Sequence, residues 1–212
     1  MPRTFANYND TRRHCGTLQE NGCGTLNAIT PRALRAIRDL GATHVWYTGV
    51  IRHATAQYNT PSIVKGLAGS PYAITDYYDI DPDLCEDQDR RMEEFESLVD
   101  RTHKANLQVI IDFVPNHVAR EYRSTHRPKG VKDLGEDDNP NWAFSPLNNF
   151  YYLPGQPFAP QFDVQGYTEN PAKVTGNDCF SAHPTKDDWY ETVKLNYGVF
   201  YQGGGEKQFD PI

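Results

Sequence analysis

The segment LQVIIDFVPNHV, Leu107–Val118, carries the strongest structural signal in the chain, because an apolar run ends abruptly in polar residues. The run Leu107–Ile111 is too short for an ordinary helix and contains β-branched residues. We interpret it as an interior parallel strand that is buried on both faces. In α/β folds ligands bind beyond the carboxyl ends of such strands, so Asp112, Asn116 and His117 are candidate site residues. A purely structural role stays open. In that case Asp112 caps a turn, and the ring nitrogens of His117 form hydrogen bonds within the fold.

The segments before this strand alternate between helical and strand patterns. They are a weak strand near Thr4–Asn7, a helix that begins at Thr30-Pro31, a strand over Thr43–Val50, a long ordered loop over Ile51–Pro82 and a charged amphipathic helix over Asp87–Asn106. The helices are indicated by capping and by periodic apolar residues, and the loop by frequent turn formers. This order predicts βαβ units with a parallel sheet.

The character of the sequence changes after Val118. From Ala119 to Gly205 no helical or strand period is sustained, while aromatic residues and turn formers dominate. Disorder is disfavoured, because disordered segments are poor in aromatics. We predict a small irregular subdomain whose aromatics form partly its own core and partly a cleft wall for a ligand with flat apolar surfaces, such as a sugar.

Composition excludes several classes of function. The chain has 212 residues, with 21 Lys and Arg against 28 Asp and Glu, and its charge of −7 is spread along the sequence. This argues against a nucleic-acid groove or a polybasic membrane patch. No apolar run reaches the roughly 18 residues of a membrane span, and the first residues lack a signal-peptide pattern. The compartment stays open.

The four cysteines lack CxxC spacing and a paired histidine motif, so a zinc site or a redox pair is not expected. We interpret them as plain thiols. A bridge between Cys15 and Cys23 in an oxidising compartment stays open.

Four stretches, in the same order along the chain, resemble motifs of the α-amylase family, glycoside hydrolase family 13. They are GATHVWYTGVI at Gly41–Ile51 for its second strand, SPYAITDYYDIDP at Ser70–Pro82 for the following loop, DFVPNH at Asp112–His117 for its third strand and TVKLNYG at Thr192–Gly198 for a signature of its inserted domain. PRTF at Pro2–Phe5 is similar to the end of its first strand.

The resemblance implies an α/β fold, a partial TIM (β/α)8 barrel of about strands 1–3 with an irregular inserted subdomain after strand 3. Residues 1–117 would form the amino-terminal part of the barrel and residues 118–205 a domain B-like subdomain. Residues 206–212 would begin the return to the barrel. Because three strands leave an open edge and uncovered apolar faces, we expect residues 1–212 alone to be marginally stable or prone to aggregation.

The resemblance also implies roles for individual residues. Tyr72 matches the tyrosine that stacks on the sugar at the cleavage point, and His117 the histidine that hydrogen-bonds the hydroxyls of that sugar. Asp112 matches a carboxylate that orients neighbouring groups, notably an arginine on the fourth strand. Asn116 matches a ligand of a structural Ca²⁺. A second calcium ligand, an aspartate in many members, is matched here by Lys194, whose ammonium group is expected to place its own charge where the ion would be.

The family cleaves or transfers glycosides with retention, through an aspartate nucleophile and a glutamate acid/base about 5 Å apart. These residues lie on strands four and five, so none is expected within residues 1–212, and this chain alone is predicted to be inactive. The whole protein is expected to act on α-glucosidic bonds of starch-like glucans or malto-oligosaccharides and to require no cofactor.

Three alternatives stay open. The first is an α-glucosyltransferase or trehalose synthase-like enzyme of the same family. The second is a non-catalytic carbohydrate-binding or assembly relative. The third is an open α/β sheet that binds another small polar ligand, although no strand is followed by a glycine-rich phosphate-binding turn.

Overall fold

The computed structural model describes residues 1–201, so the expected return segment 206–212 and the last residues of the expected subdomain lie outside the described residues. The α-helices are α1 (Leu18–Asn21), α2 (Pro31–Asp39) and α3 (Arg91–Lys104). The strands are β1 (His44–Tyr47), β2 (Ile51–Ala54), β3 (Ser70–Ile80), β4 (Gln108–Ile111), β5 (His117–Ala119), β6 (Tyr152–Leu153), β7 (Ala172–Lys173) and β8 (Thr192–Lys194). Short 3₁₀ helices cover Pro2–Thr4, Pro61–Ile63, Pro82–Leu84 and Gln88–Arg90. The chain is therefore of the mixed α/β class.

A parallel strand pair forms the centre of the first half. β1 and β4 run side by side, with His44 opposite Gln108 and Tyr47 opposite Ile111. α3 lies between them in sequence, and the Tyr47 hydroxyl is 2.9 Å from the Thr102 hydroxyl of that helix. The predicted helices are confirmed: the Thr30 side chain caps α2, and α3 covers most of the predicted amphipathic segment.

The prediction that the strand Leu107–Ile111 is buried on both faces is wrong for this chain. Within residues 1–201, β4 pairs with β1 and with no other strand. Ile110 and Ile111 are exposed, and Trp46 on β1 is 63% exposed. An apolar strand is buried on both faces only when neighbouring elements cover it. The pair β1–β4 thus presents an uncovered apolar face and edge.

Two further predictions are corrected in the first half. Residues 51–82 do not form one long loop, because β2 and the eleven-residue β3 pair there as an irregular antiparallel ladder. Some of the polar residues that indicated turns instead form hydrogen bonds with the strand backbone. For example, the Asp76 carboxylate accepts from Tyr78 N at 2.9 Å. Near Thr4–Asn7 the expected strand is replaced by the 3₁₀ helix Pro2–Thr4, and Ala6 has a φ of 53°.

The second half consists of short strands and turns. β5 pairs with β8 and β6 with β7, both antiparallel, and each of these strands has only two or three residues. Its core contains Tyr151 and Phe158, and it packs against Ala54 and Ala73 of the β2–β3 ladder. Trp142 and Tyr197 are exposed. The aromatic residues therefore divide between core and surface.

The four cysteines are free thiols, so the bridge between Cys15 and Cys23 does not form in this structure. Among residues 1–201, no helix has both the length and the apolar character that crossing a membrane requires.

Candidate functional site

A cavity of about 710 Å³ opens where β4 ends. One side is formed by the segment from Lys65 to Ala73, which includes the start of β3, and another by Phe113–His117. Trp189, Glu191 and Thr192, just before and at the start of β8, complete the lining. The cavity thus joins three stretches that are far apart in sequence, at the strand end where a site was predicted.

Tyr72 and His117 both line this cavity. Tyr72 lies on β3 and is 56% exposed, so its ring is available to a ligand. His117 begins β5, and its ring packs edge-on against Trp189 with the ring centroids 5.2 Å apart. A flat aromatic surface and an imidazole on one cavity suit a ligand that has both apolar faces and hydroxyl groups.

The imidazole of His117 is buried, and its Nδ1 has no hydrogen-bond partner among residues 1–201. Burial lowers the pKa of His117 below its ordinary value. A contact with the Tyr72 backbone opposes this shift, and the charge of Lys194 adds to it. The lowered pKa favours the neutral imidazole of His117, in which one nitrogen donates a hydrogen bond and the other accepts one.

Asp112 directly follows β4 but is not part of the cavity lining. Its Oδ1 accepts a hydrogen bond from Trp46 Nε1 at 2.6 Å. Its Oδ2 is buried without a partner among residues 1–201. A buried carboxylate oxygen without a donor is costly, so a donor from outside the described residues would stabilise it.

The surroundings of Asn116 do not fit a calcium ion. Asn116 is exposed, and its backbone oxygen, which is not the side-chain oxygen expected to bind calcium, accepts from Leu195 N at 3.1 Å. The ammonium group of Lys194, which lies opposite His117 in the β5–β8 ladder, is 2.5 Å from Asp178 Oδ1. Calcium needs six to eight oxygen ligands, and an ammonium group cannot be one of them. The assignment of Asn116 as a metal ligand stays an untested prediction of the resemblance.

One cluster in the described part of the chain has the composition of a metal site: Asp76, Asp79 and His126 bring one ligand atom each within 4.8 Å of the others. Asp79, however, forms ion pairs with Arg91 at 2.7 Å and with Arg52 at 3.0 Å. Burial raises the pKa of Asp79, but the two arginines outweigh burial and hold the pKa below its ordinary value. The carboxylate is thus already neutralised by protein cations, so the cluster is better explained as a structural ion-pair network.

Glu191 is a cavity residue that the sequence did not single out. Its carboxylate is half-buried in the lining, and burial raises its pKa, while hydrogen bonds from Lys65 N and the Ser70 hydroxyl oppose that shift. Its partners are more than a hundred residues away. The only local feature that could have pointed to Glu191 as a cavity residue is its position directly before the TVKLNYG stretch.

Comparison with known proteins gives a consistent set of similarities. The family described as "Alpha amylase, catalytic domain" matches residues 1–172. Maltase A1 of Drosophila melanogaster is 26% identical over 180 residues, which cover 73% of this chain and 28% of the maltase. Maltase 1 of Drosophila virilis is 31% identical over 138 residues, which cover 61% of this chain and 19% of that protein. Trehalose-6-phosphate hydrolase of Bacillus subtilis is 34% identical over 103 residues, which cover 49% of this chain and 15% of the hydrolase.

Among solved structures, an alpha-amylase from Lactobacillus plantarum is 24% identical to this chain. The match covers 92% of this chain and 30% of the amylase chain, with a TM-score of 0.48. This chain spans only 15–28% of the length of the three relatives named above.

Proposed function

Because this chain belongs to the α-amylase catalytic-domain family, glycoside hydrolase family 13, we propose that it supplies the sugar-binding part of an active site that cleaves α-glucosidic bonds. The substrates are starch-like glucans or malto-oligosaccharides. The observation that carries the proposal is the single cavity that Tyr72 and His117 share at the end of β4. The maltases among the relatives support the choice of an α-glucosidic substrate.

In this proposal residues 1–117 are the amino-terminal part of a (β/α)8 barrel and residues 118–205 are a domain B-like subdomain. The parallel pair β1–β4, with α3 between its strands in sequence, supports the barrel assignment. The short strands after His117, with their own aromatic core, support the subdomain assignment. Further barrel strands would pair with the edges of β1 and β4 that are free within residues 1–201.

The cavity residues have distinct proposed roles. The exposed ring of Tyr72 stacks on one face of a glucose ring, and His117 hydrogen-bonds its hydroxyls. Asp112 holds an arginine donor through the oxygen that has no partner within residues 1–201. The nucleophile and the acid/base of retaining cleavage come from outside residues 1–212. The Lys194–Asp178 ion pair takes the place of a calcium ion.

The proposal is tested by kinetics of malto-oligosaccharide hydrolysis in the complete gene product that carries these residues. We expect His117→Ala to lower kcat/KM about ten- to hundredfold, because a hydrogen bond lost to a buried ligand costs about 1–3 kcal/mol. Tyr72→Ala should lower it about tenfold or more through lost stacking. His103→Ala and Tyr8→Ala, at exposed positions outside the cavity, are the matched controls.

Three results would contradict this proposal in different ways. Unchanged kinetics in Tyr72→Ala and His117→Ala would exclude the cavity as the substrate site. Sugar binding that depends on both residues without any turnover would favour the non-catalytic relative. Transfer of glucose to an acceptor sugar, with little hydrolysis, would favour the glucosyltransferase alternative.

A further inference from the structure

The two sides of the cavity come from segments far apart in sequence, so contacts between these segments decide how far apart the sides lie. On one side the turn Lys65–Ser70 leads into β3 and places Tyr72 at the cavity. On the other side the segment before β8 places Trp189 there. Both aromatic side chains are exposed, and the Trp189 ring packs only edge-on against His117, so ring packing contributes little to the spacing.

Glu191 links the two sides through one carboxylate oxygen. Its Oε2 accepts from Lys65 N at 2.6 Å and from the Ser70 hydroxyl at 2.9 Å. The Ser70 oxygen in turn accepts from Gly66 N at 3.1 Å. Hydrogen bonds to a charged acceptor are stronger than those between neutral groups. One side chain thus binds both ends of the turn that precedes Tyr72.

The residues of the turn contact one another closely, and the turn leads directly into β3. Gly69 N donates to Gly66 O at 2.8 Å. Gly69 has a φ of 122°, a backbone conformation that residues other than glycine rarely adopt. A Cβ at Gly66 would lie 2.9 Å from the Gly69 oxygen and from the Ser70 hydroxyl. The residues of the turn are thus tied to one another, and Tyr72 follows two residues after Ser70.

A second link between the two sides is more exposed. Lys65 Nζ donates to the backbone oxygens of Lys186 at 2.8 Å and Asp188 at 3.2 Å. Lys65 is an exposed residue, and hydrogen bonds of a long exposed side chain contribute little. The half-buried carboxylate of Glu191 is the stronger of the two connections.

We propose that Glu191 is a positioning residue that sets the width of the sugar-binding cavity by holding the Lys65–Ser70 turn, and with it Tyr72, against the Trp189 segment. This inference rests on the proposed function of the cavity. It predicts an effect on substrate binding rather than on the chemical step, since Glu191 acts through the placement of the two aromatic side chains. The elevated pKa of Glu191 agrees with a carboxylate that is kept in the cavity wall against the cost of burial.

Glu121 offers a matched comparison, because it makes an equivalent link outside the cavity. Its carboxylate accepts from Thr60 N at 2.9 Å and from the Thr60 hydroxyl at 2.7 Å. It is also half-buried, but it does not line the cavity that holds Tyr72. Loss of either carboxylate removes the same two kinds of hydrogen bond, so a general structural role would give the same result in both variants.

The test is to measure KM, kcat and melting temperature in the complete gene product for Glu191→Ala, Glu191→Gln and Glu121→Ala, with a malto-oligosaccharide as substrate. We expect Glu191→Ala to raise KM about tenfold and to change kcat by less than about threefold. Glu191→Gln should stay within about threefold of the parent KM, because its amide oxygen can accept both hydrogen bonds. Glu191→Ala and Glu121→Ala should both lower the melting temperature by a few degrees, but Glu121→Ala should leave KM unchanged.

The inference is overturned if Glu191→Ala and Glu121→Ala have the same KM, or if Glu191→Gln is as impaired as Glu191→Ala. Should Glu191→Ala fail to fold, Ser70→Ala removes one donor of the link and is expected to raise KM about threefold, and an unchanged KM there would refute the inference. Failure of the proposed function is separately visible, because Tyr72→Ala would then have the kinetics of the parent protein.

Discussion

Replacement of Arg120 by methionine should strongly destabilise the region that carries the cavity wall. The Arg120 side chain is fully buried, and its Nη1 lies 2.6 Å from Oε1 of Glu169, which is 7% exposed. Its Nε donates to the Tyr190 oxygen at 2.8 Å, and Nη1 also reaches the Lys173 oxygen at 3.2 Å. Arg120 thus fastens the segment that contains Glu191 to the rest of the second half.

The expected loss of stability in Arg120→Met follows from the buried charge of Glu169 that the substitution leaves without its arginine partner. Removal of one partner of a buried ion pair costs about 3–5 kcal/mol, because the other charge stays buried without compensation. Glu169 would keep hydrogen bonds from the Tyr167 hydroxyl and Lys173 N, both at 2.7 Å, so we expect the lower end of that range. At about 2–4 °C per kcal/mol for a cooperative unit of 150–250 residues, and less for a longer one, a loss of about 3 kcal/mol lowers the melting temperature by up to about 12 °C.

The assay is thermal unfolding of the complete gene product at neutral pH, with Arg127→Met as the control. Arg127 forms an ion pair of similar length, 2.7 Å, with Glu136, but both side chains are at least one-third exposed. Its loss should therefore cost less than about 1 kcal/mol. The double variant Arg120→Met/Glu169→Met should recover part of the loss, since the uncompensated carboxylate of Glu169 is then removed as well. Equal effects of Arg120→Met and Arg127→Met, or no recovery in the double variant, would refute this reasoning.

Acid, chelation and isolation of the chain should each produce a distinct response. Burial raises the pKa of Glu169, but Arg120 and Lys173 outweigh it and hold the pKa below its ordinary value. Its stabilisation is thus fully present above the ordinary glutamate pKa of about 4.3 and lost as the pH falls below it, so Glu169→Gln should show a shallower fall of melting temperature in acid. Because the pKa of His117 is lowered, malto-oligosaccharide affinity measured by calorimetry should persist below the ordinary histidine pKa of about 6.5 and decline only in stronger acid. A calcium chelator should move the melting temperature by less than about 1 °C, and a large fall would contradict the role given to Lys194. Residues 1–212 expressed alone should show no turnover and should scatter light on concentration, because the β1–β4 face is uncovered.

Local signals in the sequence predicted the helices and the class of fold. The threonine cap at Thr30 and the periodic apolar residues of α3 act within a few residues, so they are readable without the fold. β3 was missed because its stability comes from pairing with β2 and from distant donors. The Asp76 carboxylate, for example, accepts from Thr125 N at 2.6 Å. Such a partner is invisible in a local pattern.

The site was predictable in part, and for different reasons at each residue. Tyr72 and His117 lie in stretches that resemble family motifs, and the structure brings both to one cavity. The burial of β4 was overestimated, because it depends on elements that lie beside the strand and not on its own composition. Glu191 could not be predicted, since its role arises from contacts across 121 and 126 residues.

The most direct test of the sugar-binding account is a crystal structure of the complete gene product with a bound malto-oligosaccharide. The account predicts a glucose ring packed against Tyr72, with one of its hydroxyls within hydrogen-bond distance of a ring nitrogen of His117. An oligosaccharide bound elsewhere, with both side chains free of sugar, would contradict it.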